Sequence, residues 1–181
     1  MPHYSCDPDL ELNGQTARSL VENVNQDDTN PFVSENGLDN IDPEAWYPVQ
    51  DVLNVMNSIA ESGSPMSHYV AIGMKAAELS YLPPEVSEMS FGEFLVAYGQ
   101  IYPQHHRNGD AGTVDPEQLS PTHVRLAIDV PYPDDVMYGV IFGFARRLLD
   151  NRVQYSVYYD EENPPRDMGG DATIIHVEWD A

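Results

Sequence analysis

Residues 123–179 constrain the fold of this chain most. In His123-Val-Arg-Leu-Ala-Ile-Asp-Val130 apolar and polar residues alternate, so Val124, Leu126, Ile128 and Val130 share one side of a strand while Arg125 and Asp129 take the other. Pro131-Tyr-Pro-Asp-Asp135 stops that strand, and the pattern changes to a helix over 134–150, apolar almost all round between its ends. Two acids open this helix and Arg146 and Arg147 close it, which suits the helix dipole at both termini. Val153, Tyr155, Val157 and Tyr159 alternate again, as do Thr173, Ile175, Val177 and Trp179. The acidic, Pro- and Gly-rich stretch 160–171 between them reads as the long tip of an antiparallel hairpin. Strand, buried helix, strand, strand needs a sheet with one core face and one wet face.

Upstream the periodicity is helical. Ala17, Leu20, Val21 and Val24 mark a short first helix, and 31–48 reads as a loop anchored by Phe32, Leu38, Ile41 and Trp46. Tyr47-Pro48 opens a helix whose stripe is Val49, Val52, Leu53, Met56 and Ile59, since Pro suits a first turn whose N–H has no partner anyway. A third helix carries Tyr69, Val70, Gly73, Ala76 and Ala77 on one face, and such small residues imply a close neighbouring helix. Ser90-Phe-Gly-Glu93 matches a capping box and sets a fourth helix at 91–102. Residues 103–121 read as a polar loop. The expected fold is α+β, with N-terminal helices packed on a small antiparallel sheet and a buried helix inserted between strands. At 181 residues a single domain over 15–181 is expected, after a polar segment 1–14 that frays.

The charge narrows the partners. Thirty acids against eight basic residues give a formal charge of -22, which disfavours nucleic acid and anionic membrane surfaces. Such acidity fits a salt-rich source, and it fits generic solubility as well. Cys6 is the only cysteine, so neither an intrachain disulfide nor a multi-thiolate zinc site is expected. No basic, apolar leader opens the sequence and no apolar run is long enough to span a bilayer, so the expected location is the cytoplasm.

No catalytic signature and no metal site stands out. His105-His106 with Asp110 is the densest group of possible ligands, yet adjacent side chains diverge and a solvated loop carries the same residues. His123 and His176 sit on strands, the latter beside Glu178, and read either as proton-transfer groups or as surface histidines. Asp134-Asp135 and Glu161-Glu162 read as a helix start and a hairpin tip. Met168-Gly169-Gly170-Asp171 precedes a strand rather than a helix, so it reads as a turn and not a phosphate cradle. What remains is a set of inward aromatic and Met positions: Tyr69, Met74, Phe94, Tyr98, Tyr102, Tyr138, Phe142 and Phe144. Each tyrosine hydroxyl among apolar groups needs a partner, and apolar walls with a few polar groups describe a small-molecule pocket.

Trp46-Tyr47-Pro48 before an amphipathic helix, the strand and helix at 123–149, and the closing Gly169-Gly-Asp-Ala-Thr-Ile-Ile-His-Val-Glu-Trp179 together resemble the sensor superfamily of haem-NO-binding (H-NOX) and 4-vinyl-reductase domains. That resemblance implies helices over a C-terminal sheet, a ligand between the layers, and output through a signalling partner. The haem-binding branch carries a proximal His on a helix and a Tyr-x-Ser-x-Arg motif for the propionates. Here Pro131-Tyr-Pro-Asp-Asp135 stands in its place, and His105 or His106 is the residue nearest to a haem ligand. The zinc-binding branch uses cysteines that this chain lacks. The expectation is a divergent member without cofactor: a small-molecule-binding or signalling-associated sensor module without catalysis, its apolar ligand between helices and sheet, acting on a signalling protein or as a homodimer. The alternatives are a haem or gas sensor, an enzyme using His and Asp/Glu, and a structural domain docking through Trp46 or Trp179.

Overall fold

The computed structural model describes residues 3–22, 26–61, 63 and 65–180, and Val24 of the expected first helix lies outside them. Strand β1 (Glu11–Asn13) leads into α1 (Gly14–Val21), followed by α2 (Gln26–Glu35), β2 (Trp46–Pro48), α3 (Val49–Glu61), α4 (Pro65–Leu79) and α5 (Phe91–Ile101). The short β3 (His106–Arg107) precedes β4 (Thr113–Ser120), β5 (His123–Asp129), α6 (Asp134–Leu148), β6 (Tyr155–Tyr159) and β7 (Thr173–Trp179). All pairings are antiparallel, in a four-stranded sheet ordered β4-β5-β7-β6 and a three-stranded sheet ordered β2-β1-β3. The fold is α+β, as the patterns of 123–179 require.

Period-two alternation places Val124, Leu126 and Ile128 of β5 opposite Val177, Ile175 and Thr173 of β7, all buried on the core face. That face packs under α5 and α6. The capping box forms: the Ser90 amide donates to Glu93 at 2.7 Å and the Glu93 amide donates to Ser90 Oγ at 3.3 Å, which fixes where α5 starts. At α6 the two acids of the first turn and the two arginines of the last lie where the sequence puts them.

Helices α4 and α6 approach backbone to backbone. A Cβ on Gly73 would lie 2.0 Å from the Val136 carbonyl oxygen, and one on Gly139 would lie 2.3 Å from that of Val70. The small residues therefore do what their spacing implies, letting two helices meet with almost no side chain between them.

Three parts of the chain depart from the sequence reading. Residues 103–121 are not wholly a loop, because 113–120 is β4, an edge strand paired to β5 along its length. Pro116 in its middle argues against a central strand but is tolerated at an edge. The 31–48 loop begins inside α2, which runs through Pro31. Residues 3–14, expected to fray, are packed: Tyr4, Leu10 and Leu12 are buried, and Tyr4 exchanges backbone bonds of 2.9 and 3.0 Å with the Asn57 amide on α3. Trp46 is covered by Arg107, 4.4 Å from its ring, and Trp179 packs edge-on against Phe91 at 5.1 Å. Neither tryptophan stands out as an open docking surface.

The glycine contact gives a direct test. Gly139→Val drives a side chain into the α4 backbone, and overpacking of this kind costs about 1–3 kcal/mol, a Tm loss of roughly 2–12 °C in a chain of this size. Val96→Ala, at an exposed α5 position, is expected to shift Tm by no more than about 2 °C. Equal melts for the two variants would mean that the helices do not meet as described.

Candidate functional site

A cavity of about 60 Å³ lies where α1, α4, α5 and α6 converge on the turn that follows α5. Leu20, Ala77, Val136, Val140 and Phe144 supply its apolar walls, spaced one helical turn apart on α6 so that they share a face. The residues with polar side chains that line it are Thr16, Ser19, Ser80, Tyr98, Tyr102, His105, His106 and Tyr132. Thr16, Ser80 and His105 also wall a wider, open groove of about 680 Å³ on the surface.

The hydrogen bonds fix the state of both histidines. Asn13 caps α1 by accepting from the Thr16 amide through Oδ1 at 2.8 Å, so its other amide atom is Nδ2, a donor. That Nδ2 lies 3.1 Å from His105 Nδ1, which must then be the acceptor and leave the proton on Nε2. His106 has the opposite tautomer. Its Nδ1 faces the Tyr102 carbonyl at 3.2 Å and must donate, so Nε2 accepts from the Tyr132 hydroxyl at 2.9 Å. Burial lowers the pKa of both rings, that of His106 to about 4, so both are neutral near pH 7.

Tyr132 enters the cavity because Arg166 staples the bend that carries it. The Arg166 guanidinium donates to the Val130 carbonyl, to the Tyr132 carbonyl at 3.1 Å and to Asp129 at 3.1 Å. Asp134 and Asp167 lock the same bend, each carboxylate accepting the other's amide at 2.7 and 3.0 Å, and Tyr4 donates to Asp167 at 2.9 Å. Burial raises the Asp134 and Asp135 pKa values, ahead of every other influence on them.

The polar hydroxyls are partnered with one exception. Tyr102 donates to the Ala111 carbonyl at 2.9 Å and Tyr132 to His106. Tyr98, only 7% exposed, makes no hydrogen bond through its hydroxyl to any described residue. No fully enclosed side-chain nitrogen or oxygen among the described residues lacks a partner, so the Tyr98 oxygen keeps some open surface, and Tyr98 lines the cavity. Burial pushes its phenol pKa well up, so it is a neutral donor.

Of the positions singled out from sequence, the structure brings Tyr98, Tyr102, Phe144 and His105 to the cavity. Tyr69 is buried elsewhere and donates to the Met56 carbonyl at 2.7 Å, while Phe94 packs behind Phe144 at 4.9 Å. Tyr138 and Phe142 face β6, Tyr138 donating to the Val157 carbonyl at 3.0 Å, and Met74 is half-buried away from the cavity. Asp110 caps its own turn and does not join His105 and His106. His123 and His176 meet on the wet face of the sheet, 2.9 Å apart, with Asp160 at 3.0 Å from the far nitrogen of His176. Among the described residues no group of three His, Cys, Asp or Glu is arranged to hold a metal ion. Tyr132 went unread as a site residue, although an aromatic between two prolines after a strand is a signal that it is aimed somewhere.

These residues do not fit haem. The cavity is less than half of the roughly 150 Å³ that a benzene-sized guest occupies. The His106 lone pair that would meet iron accepts from Tyr132, and that of His105 accepts from Asn13 and Thr16. At the bend, where propionates would need cations, Arg166 is committed to backbone oxygens and Asp129, beside Asp134, Asp135 and Asp167.

No protein-family model matches the sequence, and no curated protein does. Solved structures do match. An oxygen-binding H-NOX domain related to soluble guanylate cyclases aligns with a TM-score of 0.69 at 13% identity, covering 93% of each chain. An H-NOX protein from S. oneidensis in the Fe(II) ligation state gives 0.68 at 12% identity over 94% of this chain and 97% of that one. A structure described under modulation of haem redox potential by porphyrin distortion gives 0.65 at 13% identity over 93% and 97%. None of these likenesses supports the 4-vinyl-reductase half of the resemblance. The chain is H-NOX-like in its fold, on a sequence far diverged from those relatives.

Proposed function

We propose that this chain is a non-catalytic sensor module of H-NOX-like fold that takes a small, mostly apolar molecule into the cavity at Tyr98, without haem. The observation that carries this reading is the buried Tyr98 hydroxyl, without a hydrogen-bond partner among the described residues, on a residue that lines a cavity whose other hydroxyls are satisfied. A guest there touches α1, α4, α5 and α6 together, so any difference in its affinity for two arrangements of these helices shifts their balance and reaches a signalling partner or a second copy. No described helix is long and apolar enough to cross a membrane; a cytoplasmic location agrees with that.

A haem or gas sensor is the second reading, favoured by the oxygen complex of one structural neighbour, by the haem of another and by one feature of His106. Its Nδ1–H is anchored on a carbonyl, the arrangement that orients metal-ligating histidines. The absorption spectrum of the purified protein, with and without added haemin, separates the two. The expected result is no Soret band, with native mass spectrometry of protein from its own source showing a retained small molecule that Tyr98→Phe releases. A Soret band that His106→Ala abolishes would replace the first reading by the second.

The neutral His106 also sets a pH dependence. Its folded pKa of about 4 lies below the ordinary 6.5, so the unfolded chain binds the extra proton between these values. Stability is full above pH 6.5 and falls as the pH drops toward 4, by at most about 3 kcal/mol from this group, and His105 adds in the same direction. Urea unfolding across this window is expected to show a clearly shallower slope for His106→Phe than for the natural sequence. Identical slopes would mean that His106 is not buried neutral.

A further inference from the structure

The cavity and the surface groove share Thr16, Ser80 and His105, so these residues stand as a neck between the two. Arg147 lines the groove. Its Nη1 donates to the Ala77 carbonyl at 2.7 Å and the Ser80 carbonyl at 2.9 Å, which holds the guanidinium over the end of α4. Its Nε and Nη2 edge bonds to no described residue.

Eight basic residues face thirty acids, and six of the eight have a carboxylate within 4.0 Å. Arg146 and Arg147 have none among the described residues, and of the two Arg147 lies in the groove, which Glu78 also lines. The Glu78 carboxylate is taken up by Lys75 at 3.2 Å. A guanidinium fixed by carbonyls, with its Nε and Nη2 donors side by side, matches the two oxygens of a carboxylate.

Resting on the reading of the cavity as a ligand site, we infer that the ligand is a small bifunctional anion, a carboxylate at one end and a hydroxyl or carbonyl oxygen at the other. The carboxylate binds Arg147 in the groove, a narrow aliphatic stretch passes the neck at Thr16, Ser80 and His105, and the far oxygen meets the Tyr98 hydroxyl. The inner volume of about 60 Å³ takes roughly four to six water-sized groups, at about 10–15 Å³ for each on this measure, fewer than the heavy atoms of the whole ligand. Only one end of such a molecule therefore lies inside. The His105 Nε2–H, its tautomer set by Asn13, is a second donor in the neck.

The test is calorimetric titration with ω-hydroxyalkanoates from 4-hydroxybutanoate to 8-hydroxyoctanoate, against the diols and the plain alkanoates of equal length. The hydroxy acid of best length is expected to bind at least tenfold tighter than either counterpart. Arg147→Gln should reduce its affinity to that of the diol, with a melting curve like that of the natural sequence showing that the variant is folded. Arg147→Lys, keeping the charge without the fork, should fall between, and Tyr98→Phe should reduce the hydroxy acid to the level of the alkanoate. Diols that bind as tightly as the hydroxy acids, or Arg147→Gln without effect, overturn this inference and leave the cavity reading standing. No binding by any of the three series overturns both.

Discussion

The contact of α4 with α6 governs the rest of the structure. Gly73 and Gly139 bring one helix backbone against the carbonyls of the other, and Gly143 meets Ala77 and Met74 in the same seam. Interiors are packed to the density of organic crystals, so the space left between layers follows from how near the helices come. Here that space is a narrow chamber beside Phe144, Val140 and Ala77. The same contact that seals the core thus sets an upper limit on what the core admits.

Such a limit separates likeness of fold from likeness of site. The order of helices and strands is shared with H-NOX domains over nearly the whole chain. Function on a shared fold rests on the side chains at the site. At the bend after β5, Tyr132 turns inward to His106 and Arg166 turns inward to backbone carbonyls, so this region is closed by its own bonds. Each of those polar groups is satisfied internally, and admitting a large anionic guest would require breaking several buried hydrogen bonds at once.

What the sequence made legible was what repeats. Alternation in β5, β6 and β7, the apolar stripe of α3, the capping box of α5 and the small residues of α4 each carry a period or a local rule, and all appear in the structure. β4 was hidden because an edge strand with Pro116 and three polar neighbours on its wet side has no clean alternation. The segment before α1 was hidden for a different reason: only Tyr4, Leu10 and Leu12 are buried, too few and too irregular to show a period, and their partners Asn57 and Asp167 are far away in sequence. The site followed the same division. Phe144, Tyr98 and Tyr102 sit on helical faces and could be read, whereas Tyr132 depends on Arg166, 34 positions on, and no spacing announces that pairing.

Acidity and anion binding are compatible once distance is considered. Most of the charge of -22 is spread over a solvated surface, and its repulsion is screened beyond about 8 Å at physiological ionic strength. Arg147 acts within hydrogen-bond reach, where screening is weak and the guanidinium is pinned before any ligand arrives. A local cation in an acidic shell also selects against the wrong guest, because polyanions meet the whole surface while a small monoanion meets only the groove. On this argument the strong negative charge does more than disfavour nucleic acid and anionic membranes. For the anionic ligand proposed above, it favours molecules small enough to present a single charge to a single arginine.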